Sequence, residues 1–161
     1  MIVFTVITAL IVAADRIAKY FAAVNLQPEG SIPVISGVFS FTYAENTGAA
    51  FSIFEGQRWI LVSVAALALL AIIYIVASKK ITDKLGVLSL AFISGGALGN
   101  LIDRAYYGYV VDMLEFKFIK FAIFNVADSF LTVGSIMLGI YILFFYGKKS
   151  GNGNENTSKD I

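Results

Sequence analysis

The sequence predicts a polytopic α-helical membrane protein with four transmembrane helices and a small extracytoplasmic β-sheet. Three observations carry that expectation. The 161 residues are 58% hydrophobic and only 14% charged, with mean hydropathy +0.82, whereas a soluble domain carries about 25% charge. Four segments approach the roughly 20 apolar residues that cross a bilayer as a helix. One of the loops between them alternates with the two-residue period of a strand. At this length one domain is expected, and the formal charge of +1 gives no hint of a nucleic-acid partner, which would call for a strong basic patch.

The first span covers about 2–24 and carries Asp15, Arg16 and Lys19 near its end. A cleaved secretory signal is the alternative. It is disfavoured because no Lys or Arg precedes the apolar run and the charges follow it, the reverse of the usual order. The loop 25–58 comes next. Its stretch Val38-Phe39-Ser40-Phe41-Thr42-Tyr43 reads as a strand, Glu45-Asn46-Thr47-Gly48 as a turn, and the run Ala49 to Phe54 as a second strand pairing back.

The second span, 59–78, leads through a short turn with Lys79, Lys80 and Lys84 into the third, 86–107, which ends with Asn100, Asp103 and Arg104. The loop 108–125 contains Phe116-Phe118-Phe121 interleaved with Lys117 and Lys120, an amphipathic interfacial pattern, and the fourth span covers 126–146. Residues 147–161 are polar and Gly/Asn-rich, a composition that predicts a disordered tail. The membrane domain is thus expected over 1–146.

Lysines cluster in the 79–84 turn and after the fourth span, so the positive-inside rule puts that turn and both termini in the cytoplasm. Loops 25–58 and 108–125 then lie outside. Asp15, Lys19, Asn46, Asn100, Arg104, Asp112 and Asp128, scattered through the sequence, converge on one outer layer. Structural charges placed at random would not favour one side so strongly.

Neither histidine nor cysteine occurs in the chain (Cys 0, His 0). That removes Ser-His-Asp and Cys-His triads, His- or thiolate-ligated zinc and Cys-x-x-Cys redox chemistry. Catalysis is left to Asp, Glu, Ser, Thr, Tyr or Lys. An ionisable side chain in lipid is costly unless paired, hydrated or buried in protein, so Asp112, in Val110-Val111-Asp112-Met113, and Asp128, in Phe124-Asn125-Val126-Ala127-Asp128, are the first candidates. Two nearby carboxylates can share a proton and activate water.

Each candidate has a plainer alternative. Asp128 follows Asn125 by three residues at a helix start, a loose capping box, and Asp112 can be a solvated interfacial acid. Asp15 and Lys19, four apart, form an ion pair within one helix, for which a structural role is favoured. Gly95 and Gly99 make a small-xxx-small packing face. Asn100 and Arg104 project together beyond it, able to orient a carboxylate or a carbonyl, unless Arg104 snorkels to the headgroups. Asp103 points away, as a solvated or Arg-paired residue. Asn46-Thr47-Gly48-Ala49-Ala50-Phe51 is, alone, an ordinary turn.

Together and in this order the motifs resemble lipoprotein signal peptidase, the type II signal peptidase of bacteria, over about residues 10–145. The blocks are Asp15 with Lys19, Asn46-x-Gly48-Ala49-Ala50-Phe51, Gly96-Ala97-x-Gly99-Asn100-x-x-Asp103-Arg104, Val110-Val111-Asp112 and Phe124-Asn125-x-Ala127-Asp128. The resemblance implies that Asp112 and Asp128 are the catalytic pair. It also implies that Asn46, Gly48, Asn100, Arg104, Asn125 and Ala127 support them, and that Asp15 and Lys19 shape the site.

It implies a multi-pass protein of the bacterial cytoplasmic membrane with its site near the outer face. Its substrates would be lipidated prolipoproteins cleaved before a diacylglyceryl-modified cysteine, its other partners membrane lipids, and it would need no metal or cofactor. A monomer is the simplest expectation. Arg16 stands where the family often has Gln, Ala18 where it often has Ser or Thr, and Met113 where an aromatic is common.

At a helix N-terminus Asp128 is expected to be the more readily ionised of the pair. Three rivals remain. A Ser/Lys peptidase would use Ser129 with Lys19, although Ser129 and Asp128 face different ways on a helix. A proton-coupled carrier relaying through Asp15, Asp112 and Asp128 would need acids at several depths, and a scaffold subunit would tolerate Asp→Asn changes.

Overall fold

The computed structural model describes residues 1–49 and 53–146. It contains four long helices, α1 (Ile2–Asn25), α2 (Arg58–Ala77), α3 (Lys84–Tyr106) and α4 (Val126–Phe144), and three strands, β1 (Ser31–Ile35), β2 (Phe39–Asn46) and β3 (Val110–Phe116). The predicted tail 147–161, and Ala50 and Phe51 of the Asn46 motif, lie outside the described residues.

Among the described residues, α2, α3 and α4 are long and apolar enough to cross a membrane. α1 is as long, but Asp15, Arg16 and Lys19 interrupt its apolar run. α2 buries only Val76 and exposes Trp59, Ile60, Val64, Leu67, Leu70 and Ile73. Such an apolar stripe is a liability in water and the natural surface in lipid.

α3 is the central helix and packs against α1, α2 and α4. Its glycines permit this on two sides. A Cβ on Gly95 would lie 2.7 Å from Ile11 of α1 and one on Gly99 would lie 2.7 Å from Asp15 Oδ2, while one on Gly96 would meet the Ala127 carbonyl oxygen of α4. The Gly95/Gly99 face is thus the close-packing surface its spacing predicts. Gly96 adds a second approach, which sets the start of α4 directly against α3.

The sheet is antiparallel in the order β1-β2-β3. β2 realises the alternation of residues 38–43 and runs on to Asn46. Its partners correct the expectation: Ile53 and Phe54, at the end of the Ala49–Phe54 run, lie in a turn, and β2 pairs instead with β1 and with β3. β3 belongs to the segment read as a loop. Asp112 is therefore a strand residue opposite Ala44, and Asn46 pairs with Val110. The flanking Val111 and Met113 are buried with Ala22 of α1 and with Leu26, which caps that helix, so the sheet docks on its C-terminal end. Phe116 and Phe121, read as interfacial, stack with Phe124 at ring separations of 5.5 and 5.9 Å for Phe116–Phe124 and Phe121–Phe124.

Candidate active site

α4 begins with a complete capping box. The Asn125 side chain accepts from Asp128 N at 2.9 Å, and the Asp128 carboxylate accepts from Asn125 N at 3.2 Å. The plain reading of Asp128 is thus correct as far as it goes, and it leaves one oxygen for other work. Asp128 Oδ1 accepts from Asn100 Nδ2 at 2.7 Å. Asn125 also reaches the strand: its Nδ2 donates to Asp112 Oδ1 at 2.6 Å, and Asn46 Nδ2 donates to Asp112 Oδ2 at 3.1 Å. A single asparagine therefore ties both carboxyls, one on β3 and one on α4.

Asp112 is 2% exposed. Burial, then the neighbouring charge of Asp128, raises its carboxyl from 3.8 to about 6, against the amides of Asn125 and Asn46 and the charge of Lys19, which favour the ionised form. Because the folded state holds this proton more tightly than the unfolded chain, the stabilisation is fully present below about pH 3.8 and is lost as pH rises through about 6. The displacement is worth about 3 kcal/mol. Between pH 4 and 7 the thermal midpoint of wild-type protein in detergent should fall relative to that of Asp112→Asn, and the two curves should run parallel above pH 7. Curves parallel throughout would refute the raised affinity.

Beneath the carboxyls lies a buried charge cluster. Lys19 Nζ contacts Asp15 Oδ2 at 2.8 Å and Asp103 Oδ2 at 2.7 Å, and donates to Asn100 Oδ1 at 2.9 Å. Arg16 closes the ring on Asp103 at 2.5 Å and Asp15 at 3.3 Å. Asp15 Oδ1 accepts from Ala127 N at 3.0 Å, one of the helix-start amides that lack an intrahelical acceptor. The expected Asp15–Lys19 pair is present, but it joins α1, α3 and α4 instead of serving one helix. Of the two alternatives for Asp103 the Arg-paired one holds: it is 1% exposed, and Arg16 and Lys19 both hold it. The signal for this was Arg16 beside Asp15, together with Asp103 three residues after Asn100.

Arg104 does not simply snorkel. Its Nη2 donates to the Gly48 carbonyl at 2.7 Å, and Gly48 N donates to Asn46 Oδ1 at 3.0 Å, so the end of α3 holds the turn that presents Asn46. Asn46, Asn100, Arg104, Asp112 and Asp128 line one cavity of about 460 Å³ whose remaining wall includes Phe121, Phe124, Leu131 and Val133. The sequence marks Phe121 as interfacial and Phe124 as part of a motif, but gives no sign that residues 121–124 wall this cavity. Ser129 also lines the cavity, yet its hydroxyl donates to the Asn125 carbonyl at 3.0 Å while Lys19 is engaged with two carboxylates. The structure does not bring Ser129 and Lys19 together as nucleophile and base.

Fold and site define a helical membrane protein with a paired-carboxyl cavity at one end of its bundle. Comparison with known proteins sharpens this: the family model described as Signal peptidase (SPase) II matches residues 7–144. The chain is 46% identical over 142 residues to the lipoprotein signal peptidase of Caldanaerobacter subterraneus subsp. tengcongensis, covering 88% of this chain and 96% of that one. It is 41% identical to that of Clostridioides difficile over 145 residues, covering 90% and 97%. A solved structure described as a bacterial membrane enzyme, determined by the in meso method at 2.3 Å resolution, superposes with TM-score 0.84 at 29% identity, covering 100% of this chain and 95% of that one. The chain belongs to the signal peptidase II family, and is thus a peptidase of the bacterial membrane.

Proposed function

We propose that this protein removes the signal peptide of prolipoproteins as an aspartic endopeptidase, cleaving before the diacylglyceryl-modified cysteine, with Asp112 and Asp128 activating water. The observation that supports this most is the joint placement of the two carboxyls: they come from different elements, line one cavity and are bridged by Asn125, whose Nδ2 donates to Asp112 and whose main-chain N–H donates to the Asp128 carboxylate. Charge balance points the same way. Arg16, Lys19 and Arg104 face Asp15, Asp103, Asp112 and Asp128, three cations against four acids, and one proton on the Asp pair makes the group neutral, as a water-poor site requires.

Asp128, receiving the Asn125 N–H and the Asn100 amide, is the base that removes a proton from water. Asp112 holds the shared proton and donates it to the scissile carbonyl as hydroxide adds. The resulting diol collapses when the proton taken by Asp128 passes to the leaving amine and a diol hydroxyl returns its proton to Asp112, so that the C–N bond breaks and the pair is restored. Arg104 Nε is buried and has no partner among the described residues, which leaves a donor for a substrate carbonyl. Neither a covalent intermediate nor a metal is needed.

In this reading α1 is the fourth span. Its 24 residues extend about 36 Å, and its three ionisable side chains sit in the buried charge cluster, where pairing offsets their cost. Both termini lie in the cytoplasm, the sheet rests at the outer face, and the enzyme works as a monomer. Purified protein in detergent should release the signal peptide from a diacylglyceryl-modified prolipoprotein and leave a product whose first residue is the lipidated cysteine, read by mass spectrometry. A product beginning at any other residue would overturn the proposed cleavage site.

A further inference from the structure

The cavity that holds the two aspartates adjoins a second one of about 710 Å³, lined by Glu45, Glu55, Glu115, Lys117 and Lys120. The two share Asn46, Asp112, Phe116 and the run Phe121, Ala122, Ile123. A chain lying through both would pass from apolar walls, Leu131 and Val133, to charged ones while staying beside residues 121–123. The path fits a substrate whose chain is apolar before its scissile bond and polar beyond the lipidated cysteine.

The main chain along that path is open on one side. Phe124 forms an antiparallel bridge with Leu114: Phe124 N donates to Leu114 O at 3.1 Å, and Leu114 N donates to Phe124 O at 2.8 Å. Residue 125 continues with extended dihedrals, φ −130° and ψ −178°. In strand geometry successive residues direct their N–H and C=O to opposite edges, so the groups of Ile123 face away from β3. The main-chain groups of Ala122 and Ile123 make no hydrogen bond among the described residues. Their side chains are only partly exposed, and a peptide group shielded from water without a partner is costly.

The substrate has the complementary need. A peptide bond inside a helix cannot be reached by an attacking water, so the segment around it must unwind, and its freed backbone groups then lie in a water-poor cavity. Strand addition satisfies both sides. Resting on the reading of the Asp112/Asp128 cavity given above, we infer that residues 121–124 are a binding edge: the unwound stretch of the prolipoprotein pairs with the Ile123 N–H and C=O as an added strand, which holds the scissile bond over the two carboxyls. Ile123 is thereby a positioning residue acting through its main chain, and recognition tolerates varied side chains because the backbone is what is read.

A synthetic lipidated substrate peptide, N-methylated at one backbone amide at a time around the cleavage site, tests this. Pairing along one edge predicts a two-residue alternation, with methylation at every second position raising KM about tenfold or more and the positions between changing it little. In the protein, Ile123→Pro removes the N–H and should raise KM at least threefold over Ile123→Ala, which keeps it, with an unchanged melting point in detergent as the folding check. If Ile123→Pro does not fold, the methylation scan alone decides. Uniform insensitivity in the scan, or equal KM for a folded Ile123→Pro and Ile123→Ala, overturns the inference. Cleavage of the unmethylated peptide alongside either result confines the failure to the binding edge, whereas no cleavage of that peptide by wild type would count against the function itself.

Discussion

Asp112→Asn and Asp128→Asn are each expected to lower kcat/KM for a lipidated prolipoprotein by about a thousandfold, the middle of the range for a positioned general acid or base and about 4 kcal/mol of transition-state stabilisation. Shape barely changes in either variant. In Asp112→Asn the side chain keeps its volume inside β3, where the buried neighbours Val111 and Met113, not the carboxyl, hold the strand to α1. In Asp128→Asn an amide oxygen can still accept the Asn125 N–H, so the start of α4 remains capped. The amide nitrogen then meets Asn100 Nδ2, which now donates to Asp128 at 2.7 Å, and the loss of that hydrogen bond costs about 1 kcal/mol.

Loss of activity without loss of fold is therefore the expected signature. Release of signal peptide and thermal midpoint should be measured on the same preparations. If either variant, with a native melting point, cleaves within tenfold of wild type, the paired-carboxyl mechanism is wrong.

The largest effect on stability should come from Asp15→Ala. Asp15 is 0% exposed and serves three partners at once: Lys19, Arg16 and the Ala127 amide. Its removal leaves Lys19 and Arg16 sharing Asp103 alone and orphans a buried N–H. Removing one partner of a buried pair costs about 3–5 kcal/mol, because an uncompensated charge stays behind. At about 2–4 °C per kcal/mol for a chain of this size, the melting point should drop by about 6–20 °C.

Asp15→Asn should lose less, since its amide oxygen can keep the Ala127 contact. Activity should fall with stability in both variants, because Lys19 also fixes Asn100 and Asn100 fixes Asp128. A melting point for Asp15→Ala within 2 °C of wild type would show that the cluster does not hold the helices together.

The helices were the most legible part of the fold. A run of about 20 apolar residues has few other uses, and the observed elements Arg58–Ala77, Lys84–Tyr106 and Val126–Phe144 start and stop within two residues of the segments read from hydropathy alone. The sheet was half legible. Period-two alternation marks β2, but it says nothing about which strand lies beside it. The segment nearest in sequence, Ala49–Phe54, was the natural guess, whereas β3 is some 66 residues away, as in the Asn46–Asp112 contact. Asp112 was misread as a loop residue for the same reason.

At the site, the motifs and the family they resemble named Asp15, Lys19, Asn46, Gly48, Asn100, Arg104, Asn125, Ala127, Asp112 and Asp128, and the structure links them through a short run of hydrogen bonds. Two things were hidden. The partners of Asp103 were hidden because Arg16 and Lys19 belong to another helix, and residues 121–124 read only as the end of an interfacial loop because the unpaired groups of residues 122 and 123 are main chain.

The sequence by itself determined that this chain belongs in a bilayer, that His- and Cys-based chemistry is excluded, and which acids are the candidates to act. Apolar length, residue absence and motif order are local properties, complete before any folding occurs. Tertiary structure alone decided that Asn125 binds both aspartates, that Lys19 and Arg16 bridge Asp15 to Asp103, and that an open backbone edge runs beside them. Those facts depend on close approaches, such as Gly96 against Ala127 and β3 against β2, and a buried hydrogen bond or ion pair exists only where two distant segments are brought within about 3 Å.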